Sequence, residues 1–182
     1  MSRAASSQHP TTGRGHAGWP ETVATLGPVG RLPGAPGTYG SAVGIGLAWA
    51  LHAAGGAWLM ISATLAIIAL GWWTTTRVLA ARDTPDADPG DVVIDEVAGQ
   101  MIAFWPLSIG LTMAGAGPEV WPWPGVVFGF LAFRALDILK PPPVSTAERL
   151  PGAAGVMADD IVAGLITAAA ATLAAGVAHG WI

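Results

Sequence analysis

Hydrophobic positions run in long, uncharged blocks. No Asp, Glu, Lys or Arg occurs between Arg31 and Arg77, between Glu96 and Glu119, or after Asp160. A membrane-spanning helix needs about 20 mostly apolar residues, so the pattern predicts an all-α fold, a polytopic membrane helix bundle of about five spans. Segments 41–54 and 57–79, separated by Gly55-Gly56, predict a hairpin of two spans. The third span is expected at 97–114, the fourth at 125–139 and the fifth at 161–178. Lys140-Pro141-Pro142-Pro143 ends the fourth, because proline lacks an amide proton and disfavours helix before it. The first span is short and rich in glycine, so a re-entrant helix is the alternative there.

Residues 1–18 are Ser-, Thr-, Gly- and Ala-rich and lack the apolar core of a signal peptide. They read as a flexible cytosolic tail. Residues 19–40 are dense in Gly and Pro, which predicts a structured loop or a short helix followed by a loop. Arg and Lys fall in the tail, in the second–third loop (Arg77, Arg82) and in the fourth–fifth loop (Lys140, Arg149). The positive-inside rule then puts the N-terminus in the cytoplasm and the C-terminus outside. Trp121 and Trp123 read as an interfacial anchor on the far side.

Composition supports this picture. The chain has 182 residues, 52% hydrophobic and 11% charged, against roughly 25% charged in soluble domains. Mean hydropathy is +0.53. The absence of cysteine excludes disulfides, zinc–thiolate sites and thiol nucleophiles. A net charge of −4 gives no general basis for nucleic-acid binding. Small residues at four-residue spacing (Gly40 and Gly44, Gly125 and Gly129, Gly164 and Ala168) predict close helix packing, within one chain or between copies in a homo-oligomer.

Four polar clusters fall on the cytoplasmic side. Gly37-Thr38-Tyr39-Gly40-Ser41 opens the first span, where amide protons can hold an anion or a hydroxyl can cap the helix. Asp91, Asp95 and Glu96 precede the third span, where the helix dipole favours carboxylates; Asp91 and Asp95 lie one turn apart if the segment is helical. Arg134, Asp137 and Lys140 share a broad face of the fourth. Asp159-Asp160 heads the fifth. Adjacent helical residues point about 100° apart, so only one of that pair aims into a shared site.

Asp95, Glu96, Asp137, Asp159 and Asp160 thus gather from three helices at one membrane boundary. Carboxylates held close repel without a cation, and an all-oxygen donor set suits Mg²⁺. Arg134 and Lys140 beside them can bind phosphate oxygens. That combination points to phosphoryl chemistry on a lipid headgroup. Histidine is not the base, because His9, His16, His52 and His179 lie elsewhere.

Four motifs, in order, resemble the phosphatidylglycerophosphatase A family. They are Leu32-Pro33-Gly34-Ala35-Pro36-Gly37-Thr38-Tyr39-Gly40-Ser41; Asp88-Pro89-Gly90 with Ile94-Asp95-Glu96-Val97-Ala98-Gly99-Gln100; Phe133-Arg134-Ala135-Leu136-Asp137-Ile138-Leu139-Lys140-Pro141-Pro142-Pro143; and Gly155-Val156-Met157-Ala158-Asp159-Asp160-Ile161-Val162-Ala163-Gly164. The family's pattern is departed from at Tyr39, where Phe is expected, and at Ala153-Ala154.

The resemblance implies a Mg²⁺-dependent enzyme of the bacterial cytoplasmic membrane, hydrolysing phosphatidylglycerophosphate to phosphatidylglycerol and phosphate. Its membrane-embedded catalytic domain would be 19–182, facing the cytoplasm. Asp95, Glu96, Asp137, Asp159 and Asp160 are the expected metal ligands, and Asp95, Glu96, Asp137, Lys140 and Asp160 the expected catalytic residues. Thr38, Ser41, Arg134 and Lys140 are expected to bind substrate. The alternatives are a phosphatase of another lipid phosphomonoester, such as phosphatidate, and a divalent-cation transporter.

Overall fold

The structure, a computed structural model, describes residues 17–83 and 89–180. Most of the expected tail, and Asp88, lie outside the described residues. Those described are all-helical: α1 (Trp19–Ala24), a 3-10 turn (Val29–Arg31), α2 (Pro36–Ala81), α3 (Ile94–Ala103), α4 (Trp105–Met113), α5 (Trp123–Leu139), α6 (Val144–Glu148) and α7 (Ala153–Ala178).

Helix α2 is interrupted at Gly55 and Gly56. Gly56 has φ 66°, a left-handed value that glycine adopts without a Cβ penalty. The two arms, 36–54 and 57–81, run antiparallel along the same partners. On the first arm, a Cβ on Gly44 would touch Gln100, and His52 Nδ1 lies 2.7 Å from Ser108 Oγ in a hydrogen bond. On the second, the Ala57 N–H donates to Thr112 Oγ1 at 3.0 Å and Trp105 Nε1–H to Thr64 Oγ1 at 3.3 Å. A Cβ on Gly71 would then meet Ile94 and Met157.

The expected third span is not continuous. Pro106 lies in the first turn of α4, where its missing N–H is tolerated but cannot continue α3. The chain therefore turns at Phe104, giving helices of 10 and 9 residues. Helix α7 begins at Ala153, eight residues before the expected start, so Asp159 and Asp160 lie two turns inside it rather than heading it. The short α6 falls within the predicted fourth–fifth loop.

Two helices, Pro36–Ala81 and Ala153–Ala178, are long and apolar enough to cross a membrane. The other helices do not by themselves mark out five spans, since α5 has 17 residues, α3 10 and α4 9. Only 17% and 22% of the two apolar windows is buried, and Trp58, Leu131 and Leu173 lie open. A soluble core helix would bury such residues; lipid-facing ones stand exposed.

Helix α3 is the central element, with every residue from Val97 to Ala103 buried. Its Val97 and Met101 pack with Ala48, Met60 and Phe104 on one side, and Ile94 and Ala98 with Val78 and Met157 on another. The crossing with α7 is backbone on backbone. A Cβ on Gly99 would lie 2.6 Å from the Asp160 carbonyl, and one on Gly164 would strike the Gly99 carbonyl. Only glycine permits that approach.

An ion network holds the start of α3 in place. Arg82, at the end of α2, donates to both Asp91 oxygens (2.6 and 2.8 Å) and to Glu21 of α1 (2.7 Å). Arg31 donates to Glu21 at 3.0 Å, and the Val93 N–H donates to the Ala24 carbonyl at 2.9 Å. Hydrogen bonds from Arg82 hold the Asp91 carboxyl below the usual carboxylate range. Donating to Asp91 raises the arginine's own pKa, against the lowering effect of burial.

Arg82→Met should destabilise the protein by about 2 kcal/mol at pH 7, less than the roughly 3–5 of a fully buried broken pair. A depressed carboxyl stabilises above its unfolded pKa and loses that contribution as pH falls through the folded one. The gap between wild type and Arg82→Met, read by thermal melts across pH, should therefore narrow below about pH 4. A constant gap down to pH 2 would contradict the assignment.

Candidate functional site

Three carboxylates meet at the polar end of the bundle. Asp95 and Glu96 come from the first turn of α3, where the helix dipole favours acids. Asp95 Oδ1 accepts the Glu96 N–H at 3.0 Å. Asp160 reaches them because the Gly99–Gly164 contact brings α7 against α3. One oxygen from each of Asp95, Glu96 and Asp160 lies within 4.8 Å of the others.

Asp95 and Asp160 are 6% and 3% exposed, so water does little to screen them. Asp160 Oδ1 and Glu96 Oε2 are buried without a hydrogen-bond partner. Crowded carboxylates with unfilled oxygens must take up protons or a cation. The donor set is all oxygen, which fits a hard cation such as Mg²⁺ and not a thiophilic metal.

The other expected residues surround this cluster. Asp137, on α5, pairs with Arg134 one turn earlier and is near enough to act on the charge of both Glu96 and Asp160. The Arg134 guanidinium reaches the first turn of α2, where a Cβ on Gly37 would strike Glu96 and lie 3.0 Å from Arg134 Nη1. Glycine at that position lets the two helices close over the site.

Lys140 caps α5 in a left-handed conformation. Its Nζ donates to Asp159 Oδ2 at 2.8 Å and to Glu148 Oε1 at 2.6 Å. Burial would lower its pKa, but the hydrogen bonds to Asp159 and Glu148 outweigh it and raise the value. Asp159 thus meets Lys140 while Asp160 joins the cluster, as their angular separation on a helix requires.

Thr38 and Ser41 lie in the first two turns of α2. The residue preceding that helix is Ala35, so neither hydroxyl is the N-cap. Ser41 is fully buried and its Oγ has no partner. Asp91 is not on α3 and pairs with Arg82 rather than lying one turn below Asp95.

Sequence reasoning did not single out Glu21, Arg82 or Gln100 as site-supporting residues. For Glu21 the available signal was a helix start, Trp19-Pro20-Glu21. For Gln100 it was the i+4 spacing from Glu96.

The fold and the cluster define a class: a helical protein with long, exposed apolar helices and a buried acidic cluster that could hold a metal ion. The sequence model of Phosphatidylglycerophosphatase A matches residues 22–175, and the chain belongs to that family. It is 38% identical to Phosphatidylglycerophosphatase A of Escherichia coli K12 over 48% of this chain and 45% of that one. It is 31% identical to the protein of the same name in Haemophilus influenzae, over 75% of this chain and 76% of that one. A Bacteroides thetaiotaomicron protein, provisionally named a phosphatidylinositol-3-phosphatase, is 31% identical over 75% of this chain and 80% of its own length. No solved structure matches the chain significantly.

Proposed function

We propose that the protein is a Mg²⁺-dependent lipid phosphatase that hydrolyses phosphatidylglycerophosphate to phosphatidylglycerol and inorganic phosphate. The observation that carries this reading is the convergence of Asp95, Glu96 and Asp160 beside Arg134, in a chain of this family. Asp95, Glu96 and Asp160 would hold the ion, with Asp137 beside them and Asp159 held by Lys140. Bound there, Mg²⁺ would draw in phosphate oxygens and lower the pKa of a water.

Arg134 offers the phosphate a planar, permanently charged donor. Lys140, kept charged by Asp159 and Glu148, offsets negative charge as the phosphate–oxygen bond breaks. Thr38, in the first turn of α2, supplies a hydroxyl toward the headgroup, whereas Ser41 is fully buried behind it. Water adds to phosphorus, the lipid alkoxide leaves and is protonated, and phosphate is released.

The reading extends to topology. Arg31, Arg82, Lys140 and the carboxylate cluster belong to the same end of the bundle, while Glu119 is the charged residue beyond the hairpin turn. That one-sidedness supports a site at the cytoplasmic face of a bacterial inner membrane, with the N-terminus inside and the bundle crossing about five times. It also weighs against a cation transporter, which would need polar groups along a path to both faces.

The Bacteroides relative's name favours one further reading, a different lipid phosphomonoester as substrate. The test is phosphate release by purified protein from phosphatidylglycerophosphate, phosphatidate and phosphatidylinositol 3-phosphate in mixed micelles. Release fastest from phosphatidylglycerophosphate, stopped by EDTA and restored by Mg²⁺, is expected. No release from any of the three would sink the phosphatase reading, and preference for another lipid would reassign the headgroup.

A further inference from the structure

Below the acidic cluster, one turn further along α3, lies a second group of buried polar atoms. Ser41 Oγ, Gln100 Oε1 and Arg134 Nε all lack hydrogen-bond partners, as does Glu96 Oε2. Ser41 and Gln100 are completely buried. Unmet buried polar atoms cost free energy, so four at one junction call for a compensating role.

Helix register brings them together. Gly37 of α2 lies against Glu96 and Arg134, and Gly44 lies against Gln100. Ser41 is four residues after the first glycine and three before the second, so it shares their face. Gln100 is four residues after Glu96, on the same side of α3. Its Nε2 reaches α5 through a long hydrogen bond of 3.4 Å to the Gly129 carbonyl.

The Ser41 hydroxyl, like that of Thr75, also lacks the bond that most helical hydroxyls here make. Thr64, Thr76, Thr167 and Thr172 each donate to the carbonyl four residues back, the usual resting place for a helical hydroxyl. Ser41 does not, which leaves its hydrogen for the space between α2, α3 and α5.

We propose that Ser41 and Gln100 are positioning residues for Glu96: when the cluster holds a divalent cation, their hydroxyl and amide supply, directly or through one water, the hydrogen bonds that its buried carboxylate oxygen lacks. The inference rests on the cation reading above. Neither residue touches substrate; both act by fixing how Glu96 presents its oxygens. Loss of such a supporting partner typically weakens metal affinity about 10–100-fold.

The experiment measures Mn²⁺ affinity by electron paramagnetic resonance on the full-length protein in detergent. Wild type, Asp160→Asn, Gln100→Met and Ser41→Ala are compared, with melting temperatures taken in EDTA. Gln100→Met should bind Mn²⁺ about 10-fold or more weakly than wild type, with Ser41→Ala weakened in the same direction. A purely structural role would move the EDTA melting temperature and leave affinity unchanged.

Wild-type affinity in Gln100→Met overturns the inference. Should that variant not fold, wild-type affinity in Ser41→Ala overturns it instead. Binding that is lost in Asp160→Asn but intact in both others refutes the positioning role alone. No binding by the wild type removes the cation reading and this inference together.

Discussion

Asp160→Asn should lower turnover by more than about 100-fold while leaving the metal-free protein at least as stable as wild type. The activity loss exceeds the roughly 10–100-fold typical of a supporting partner, because Asp160 supplies an oxygen to the cluster itself. The stability result follows from crowding. Asp160 is 3% exposed, packed against Asp95 and Glu96, and has one oxygen without a partner. Without a cation its charge is repelled and unsolvated, and the amide removes that charge at nearly constant volume. Added Mg²⁺ should stabilise wild type by about 2.7 kcal/mol at 100 times its dissociation constant, and the variant much less. Thermal melts in EDTA and in Mg²⁺, with phosphate release beside them, make the comparison. A loss of several kcal/mol in EDTA would instead mark Asp160 as a structural residue.

Gly99→Ala should damage stability and site together. Its new methyl would lie 2.6 Å from the Asp160 carbonyl and 2.6 Å from the Phe133 ring. Overpacking of this kind costs about 1–3 kcal/mol. The backbone can relieve the clash only by moving α7 away from α3, which draws Asp160 away from Asp95 and Glu96. Chemical denaturation should show the stability loss, and a Mg²⁺ titration of phosphate release should shift to higher concentration. Destabilisation with an unchanged titration would separate the helix crossing from the site.

The contrast between these two positions shows what the sequence made legible. The uncharged runs marked the apolar helices, and Gly55-Gly56 marked the reversal between the arms of α2. The residues of the cluster were visible because carboxylates at the ends of apolar segments are costly and stand out. Which of Asp159 and Asp160 joins them was not visible. That depends on the rotation of α7 about its axis, fixed by the contact of Gly164 with the Gly99 backbone 65 residues earlier.

The break at Phe104 was hidden for a related reason. Pro106 is plain in the sequence, but a uniformly apolar run carries no periodicity to show that the helix restarts there. The early start of α7 was masked by Gly152 and Gly155, which read as loop, whereas the alanines between and after them favour helix. The Glu21–Arg82 pair links residues 61 apart, and no local pattern announces a contact at that separation.

The central claim is that the carboxylate cluster drives phosphate release by holding a divalent cation. Its most direct test is the rate of phosphate release from phosphatidylglycerophosphate as Mg²⁺ is titrated into EDTA-treated wild-type protein. The account predicts no release without the cation and a saturable rise as Mg²⁺ is added. Full release in EDTA, unaffected by added Mg²⁺, would contradict it.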